Sequence, residues 1–223
     1  MKYLIAFAVI IAGINALPQT QSDGPERIVT GAIIDAINDL SQSIKDLGLD
    51  PLNIKREERE YALPVPVIFN AAGFIEDLLS FGLSDIRVNR MDYSVLLFRL
   101  TYDVELPLIH LSVGDAYGEV TLFGETLQGE AAGSVEINSI RVNGQVNVSV
   151  GIISGISIRS LTVNFALNNI NSNLKAVLGG YDLSEFVNTL LGETIPNTLV
   201  EYRTDINRLL EIIALEIAND ILG

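Results

Sequence analysis

The sequence predicts an α+β fold: a single, highly curved antiparallel sheet rolled around a long C-terminal helix, with a second, amphipathic helix at the N-terminus. Three observations carry this reading. In the last stretch, Asn197 to Leu222, residues Ile206, Leu209, Leu210, Ile213, Ile217 and Ile221 recur at the three- and four-residue steps of a helical stripe. Ile212 and Leu215 lie off that stripe, so the apolar arc is wider than a helix resting outside a sheet requires. The middle of the chain alternates like β-strands, and each long run changes phase once, which a strand can do only by bending.

In chain order, Met1 to Tyr3 is short and basic, Leu4 to Ile14 is apolar, and Asn15-Ala16 ends in a small residue. That is the pattern of a secretory signal peptide over residues 1–16, leaving 17–223 as a single domain. The apolar run falls short of the roughly twenty residues that span a bilayer. After a polar start, Glu26 to Leu47 places Ile28, Ala32, Ile33, Ala36, Ile37, Leu40, Ile44 and Leu47 on one helical face, with Gly48 as its stop. The opposite face is acidic, whereas helices that lie on membranes favour Lys and Arg there. Asp50 to Val67, with its prolines and the cluster Lys55-Arg56-Glu57-Glu58-Arg59-Glu60, reads as an exposed extended connector. Phe74 to Arg90 reads as a turn into a first strand.

From Leu96 the even positions Phe98, Leu100, Tyr102, Val104 and Leu106 are apolar; after Pro107 the odd positions Ile109, Leu111 and Val113 take over. Val135 and Ile137 give way to Ile140, Val142, Val146 and Val148, and Ile156 and Ile158 give way to Leu161, Val163, Phe165 and Leu167. Glycines at 114, 118, 124, 129, 133, 144, 151 and 155 mark turns and further bends. No helix separates these runs, so their pairing is antiparallel. Beyond Asn168 the strand pattern fails: Leu174 to Gly180 reads as an apolar turn. Asp182 to Leu191 reads as a short helix with Asp182 at its N-cap, and Pro196 marks the start of the last helix.

Composition narrows the chemistry. The chain has 48% hydrophobic residues, a net charge of −14, no Cys, no Trp and one His. Such acidity disfavours nucleic acid and anionic membranes. Zinc sites need clustered Cys or His, and no phosphate-cradling or nucleophile-elbow motif occurs, so no cofactor, metal or catalytic residue is assigned. A hydrolase would need a base and nucleophile pair, and His110 stands alone. Asn147-Val148-Ser149 is the single N-x-[ST] sequon, with Asn147 on the polar side of its strand as an acceptor for a glycan. A dimer is an arrangement the sequence leaves open.

The order of parts, with Asp50-Pro51-Leu52-Asn53-Ile54, Gly82-Leu83-Ser84-Asp85-Ile86-Arg87-Val88 and Ser172 to Gly180 (SNLKAVLGG), resembles the arthropod branch of the tubular lipid-binding (TULIP) superfamily. That branch holds the mite group 7 allergens and the insect takeout and juvenile-hormone-binding proteins. The resemblance covers nearly the whole mature chain, and it implies a sheet rolled around a long helix that encloses an apolar tunnel for a lipid-like ligand. Takeout and hormone-carrier proteins usually carry a Cys pair near the mature N-terminus. Its absence shifts the resemblance toward the group 7 side and away from hormone binding. Bactericidal relatives grip lipopolysaccharide phosphates with basic tips, and this acidic chain does not carry that activity over.

The resulting expectation is a secreted, non-enzymatic carrier of a fatty-acid-, terpenoid- or phospholipid-like molecule, without stable membrane insertion. The alternative is a surface-active or innate-immune lipid-recognition protein that works at interfaces without a tunnel ligand. Phe98, Tyr102, Phe165, Leu210 and Ile213 are the expected tunnel lining, and their aliphatic and aromatic character suits a flexible apolar guest. Leu210→Asp or Ile213→Asp places an unpaired charge at the centre of the terminal helix and is expected to unfold the protein, as circular dichroism would show.

Overall fold

Residues 25–151 and 155–222 are described by a computed structural model; the expected signal segment 1–16 lies outside the described residues. Helix α1, Pro25–Asp46, forms where the one-sided stripe predicts it, and Val29, Ile33 and Ile37, four apart, are at most 2% exposed. Gly48 ends it with φ +67°, a conformation that costs glycine no Cβ clash. The Gly48 N–H donates to Lys45 O (2.8 Å) and the Leu49 N–H to Ile44 O (3.1 Å), which satisfies the last carbonyls in a Schellman turn.

One antiparallel sheet follows: β1 Leu52–Ala62, β2 Phe69–Phe81, β3 Arg87–Ser94, β4 Arg99–Leu122, β5 Glu125–Gly151, β6 Gly155–Leu178 and β7 Tyr181–Asp182. The order is β1-β2-β4-β5-β6-β7, and β3 also pairs with β4. β2 and β3 share one flank of β4, β2 along residues 110–122 and β3 along 99–105. The sheet therefore has a base, at the β3–β4 and β5–β6 turns, and a tip, at the β1–β2, β4–β5 and β6–β7 turns.

The phase changes are bends. The β4–β5 and β5–β6 ladders skip Pro107, Ser139 and Asn168, which fall in one row across three strands, and Ser139 takes φ +54°. Apolar residues stay on one face across this crease: Leu106, Ile140 and Leu167 line up before it, and Ile109, Ile137 and Ile170 after it. The change at Ile158 to Leu161 is a bulge, where the β5–β6 register shifts between Asn147 and Val148. A second bend joins Asp77 (φ +49°) to the register shift between Val113 and Ala116 and to Gly133.

Three segments differ from the sequence reading. The charged connector is the edge strand β1. Its residues point charges to both sides, so no alternation betrays it, and Lys55–Asp77 and Arg56–Glu76 tie it to β2. Charged side chains on an edge strand also deter pairing with another chain. β2 begins at Phe69, before the expected turn. β6 continues to Leu178 because β5 offers it partners as far as Gly129, although its polar asparagines hide the strand pattern.

The C-terminal segment is helical almost throughout: α2 Ser184–Thr189, a π-turn Leu190–Thr194, α3 Ile195–Glu201 and α4 Arg203–Leu222. Asp182 does not cap α2 as its N-cap residue; Leu183 holds that place, and Asp182 Oδ1 accepts the Ser184 N–H (2.9 Å). Pro196 sits in the first turn of α3, where its missing N–H is not needed. α4 lies along β6 on the apolar face, with Ala214 and Ala218 buried and Leu210 and Leu215 against the core. The buried stripe is rotated from the one read in the sequence, leaving Leu209 and Ile212 56% and 55% exposed.

The core sits at the base. Val29, Ile33 and Ile37 of α1 and Ala214 of α4 meet Met91, Leu100, Tyr102, Val146, Val148, Leu161 and Val163. Between base and tip, the segment around Asp50 and the turn at Gly82 to Ser84 prove to be one structure. Buried Asp50 accepts the Gly82 N–H (3.0 Å), the Ser84 N–H (2.6 Å) and the Ser84 hydroxyl (2.6 Å). Burial opposes its charge, yet these hydrogen bonds, helped by Lys45, hold the carboxyl below its ordinary 3.8. A depressed folded-state value contributes stability that is present above about pH 4 and lost as pH falls through it. Asp50→Ala is expected to cost about 2–4 kcal/mol in urea unfolding at neutral pH, and to flatten the loss of stability that the unmodified protein shows below pH 4.

Candidate functional site

On the apolar face the two halves of the sheet are treated differently. The base half is covered by α1 and α4. In the tip half β5 presents Leu127, Gly129, Ala131, Gly133, Val135 and Ile137, while the alternate residues Gln128, Glu130, Ser134 and Glu136 take the other side. Cross-strand rows extend this surface over four strands: Ile75, Ala116, Ala131 and Ala176, then Gly73, Gly118, Gly129 and Leu178, then Ala71, Val120 and Leu127. Small residues floor it, and larger ones, Leu111, Val120, Leu127 and Leu178, rim it at 43–54% exposure. Such a half-open apolar trough can hold a chain-like apolar molecule by burial, at roughly 25 cal/mol per Å².

One wall of the trough is helical, and polar side chains as well as apolar contacts set its position. β6 is the outer long strand, and its outward N–H groups need acceptors. Glu211 Oε1 takes the Val163 N–H (3.0 Å) and Asn207 Oδ1 the Phe165 N–H (2.9 Å). Asn188 behaves as a one-residue strand: its Oδ1 accepts the Leu174 N–H (2.9 Å) and its Nδ2 donates to Leu174 O (2.8 Å). Ser184 Oγ accepts the Ala176 N–H (2.9 Å). The Ser172 hydroxyl, on the apolar face of β6, donates to Asn188 O (3.3 Å), placing α2 on that face. Asn207 and Glu211 are polar residues within the apolar run of the terminal helix, and turning them to the strand is what rotates Leu209 and Ile212 outward.

The five lining residues read from sequence fall in different places. Tyr102 is 2% exposed in the base core, and its hydroxyl donates to Thr162 O (2.9 Å) beside Gly144, where any Cβ would strike Thr162 O. Burial, and secondarily the Glu211 carboxylate, pushes its phenol far above the ordinary value. Leu210 packs against that core, and Phe165 and Ile213 are half-buried. Phe98 stands apart in the β3–β4 turn at φ +48°, with an exposed side chain and a carbonyl that accepts the Val148 N–H (2.9 Å). Asn147 lies on the outer face, where its amide donates to Ser160 Oγ (2.8 Å) and accepts from Arg99 Nε (2.9 Å). His110 stacks on Phe81 at 4.7 Å, with Nδ1 3.4 Å from Glu136. Sequence reading missed Ala71, Ala116, Ala131 and Ala176, because alanine carries little strand signal and only cross-strand pairing gathers it into rows.

A family model described as haemolymph juvenile hormone binding protein matches residues 4–223. The chain belongs to this family. The match falls on the hormone-binding side of the resemblance, although the chain lacks the cysteine pair usual there. Two solved structures are similar at low identity. The crystal structure of Epiphyas postvittana Takeout 1 is 14% identical, with 88% of each chain covered and a TM-score of 0.40. That of lipopolysaccharide binding protein is 8% identical, covering 84% of this chain and 36% of that one, with a TM-score of 0.30. Comparison with curated proteins gives no match.

In this family member, removing the acceptors of β6 tests what positions the helical wall. Asn188→Leu leaves the buried-edge N–H and C=O of Leu174 unpaired and is expected to cost about 2–3 kcal/mol, lowering Tm by about 5–10 °C in a thermal melt. Exposed Ile212→Ala is expected to stay within about 1 kcal/mol of the unmodified protein.

Proposed function

We propose that this family member is a secreted, non-enzymatic carrier that holds a hydrophobic molecule of the fatty-acid, terpenoid or phospholipid class without covalent chemistry. The observation that carries the reading is the tip half of the apolar face: four strands of small and aliphatic residues that α1 and α4 do not cover. Secretion is supported by the pattern at residues 1–16 and by the family's haemolymph description. The proposed ligand surface runs from Phe165, Leu210 and Ile213 past Ile109 and Ile137 to Ala116 and Ala131. Tyr102, sealed in the core, supports that surface without forming it.

The trough offers few charged or hydrogen-bonding groups along its floor, which favours recognition by shape and burial over polar anchoring. Selectivity among apolar molecules would then be modest, since a single methylene is worth only about 1 kcal/mol.

Protein purified without detergent is expected to yield a stoichiometric lipid on solvent extraction and mass spectrometry, and the delipidated protein to bind a fluorescent fatty acid. Ala131→Trp fills the floor and is expected to weaken probe binding about tenfold or more at nearly unchanged Tm. An empty extract together with no probe binding would refute the carrier.

A further inference from the structure

We propose that the tip of the sheet docks on a neutral, zwitterionic lipid surface. Three turns meet there and expose apolar side chains: Leu63, Val65, Val67 and Ile68 between β1 and β2, Phe123 between β4 and β5, and Tyr181 beyond β6, with Phe123 and Tyr181 both 76% exposed. Leu122, Leu127 and Leu178 join them, so the exposed groups form one patch, larger than scattered surface residues make. Backbone hydrogen bonds weld the turns: the Phe123 N–H to Ile68 O (3.2 Å), the Gly124 N–H to Val67 O (2.9 Å) and the Gly179 N–H to Gln128 O (2.7 Å). The patch is thus held rigidly outward.

Charge and chain length decide what can cover it. Residues 61–68, 119–130 and 176–182 contain no Lys or Arg, while Glu119, Glu125, Glu130 and Asp182 are acidic. Anionic lipid and acidic partners are repelled, and so is a second copy carrying −14 of its own. Strand addition at the neighbouring edge is deterred by the charges of β1. The undescribed parts of the chain attach at the base: the Glu26 carboxylate, beside Pro25, accepts the Val95 N–H (3.0 Å), and 152–154 lie between β5 and β6. With the expected signal segment 1–16 removed, residues 17–24 reach at most about 30 Å, against about 80 Å of contour along β4. Aliphatic and aromatic side chains on separate protruding turns suit a fluid apolar phase, which needs no matching shape. The rows through Leu122, Val120 and Leu127 lead from this tip into the trough. A guest would then pass from the lipid surface into the trough without crossing water. That last step rests on the carrier reading; the docking does not.

Phe123→Trp supplies the chain's sole tryptophan. Its emission is expected to shift to the blue with phosphatidylcholine vesicles and to be quenched by brominated phosphatidylcholine, and the unmodified protein should float with those vesicles in low and high salt alike. Val67→Asp and Leu127→Asp are expected to cut the floated fraction tenfold or more at unchanged circular dichroism. No shift together with no flotation overturns the proposal, as does binding confined to phosphatidylserine vesicles. A blue shift that grows with protein concentration in the absence of vesicles would assign the patch to a second copy and also overturn it. Docking without probe binding would refute the carrier alone, and probe binding without docking would refute the lipid surface alone.

Discussion

A strand that must keep one face apolar over 24 to 27 residues cannot stay straight once the sheet begins to curl. The structure depends on how that is solved. At the row of Pro107, Ser139 and Asn168 three strands bend together, the apolar set moves by one residue in each, and the face continues unbroken. Had only one strand bent, its neighbours would have turned their side chains to the wrong side. Concavity follows from this shared crease and from the second one near Gly133.

A curled sheet that does not close leaves two long edges, and each is protected differently. β1 is shielded by charge: the Lys55 to Glu60 run is exposed, and Arg56 lies over the Phe74 ring at 4.5 Å. β6 is shielded by acceptors from the chain's own C-terminal helices, Ser184, Asn188, Asn207 and Glu211. This second device does more than satisfy N–H groups, since it draws the helices along the edge and so builds one wall of the apolar trough. The packing of Ala214 and Ala218 then brings α4 close to the base core, where small residues allow the approach.

The two halves of the apolar face consequently serve different ends. At the base, α1 and α4 exclude water from Leu100, Tyr102 and Val146, and most of the burial that stabilises the molecule is concentrated there. Toward the tip the same face carries Ala and Gly rows and half-exposed leucines, surface that contributes little to folding. Retaining such surface against the hydrophobic effect is understandable if a guest or a lipid phase covers it.

Much of the fold was legible in the sequence because its signals are local. Helix α1 and its stop at Gly48, the antiparallel strands and their bends at Pro107 and between Ile158 and Leu161 all follow from periodicity and turn chemistry over a few residues. The motifs at Asp50 and at Gly82 to Ser84 were visible too, but only the folded chain shows that one carboxylate joins them. Strand β1 and the end of β6 were hidden because polar residues on both faces erase the alternation, and pairing with a neighbour, a non-local interaction, makes the strand. The face that α4 buries was likewise decided by tertiary structure. Hydrophobic spacing placed Leu209 on the buried stripe, but Glu211 and Asn207 turn to the N–H groups of Val163 and Phe165, and that rotation leaves Leu209 and Ile212 exposed while Ile213 stays half-buried. A half-buried donor left without an acceptor costs about 1–3 kcal/mol, a demand that the spacing of apolar residues does not reveal.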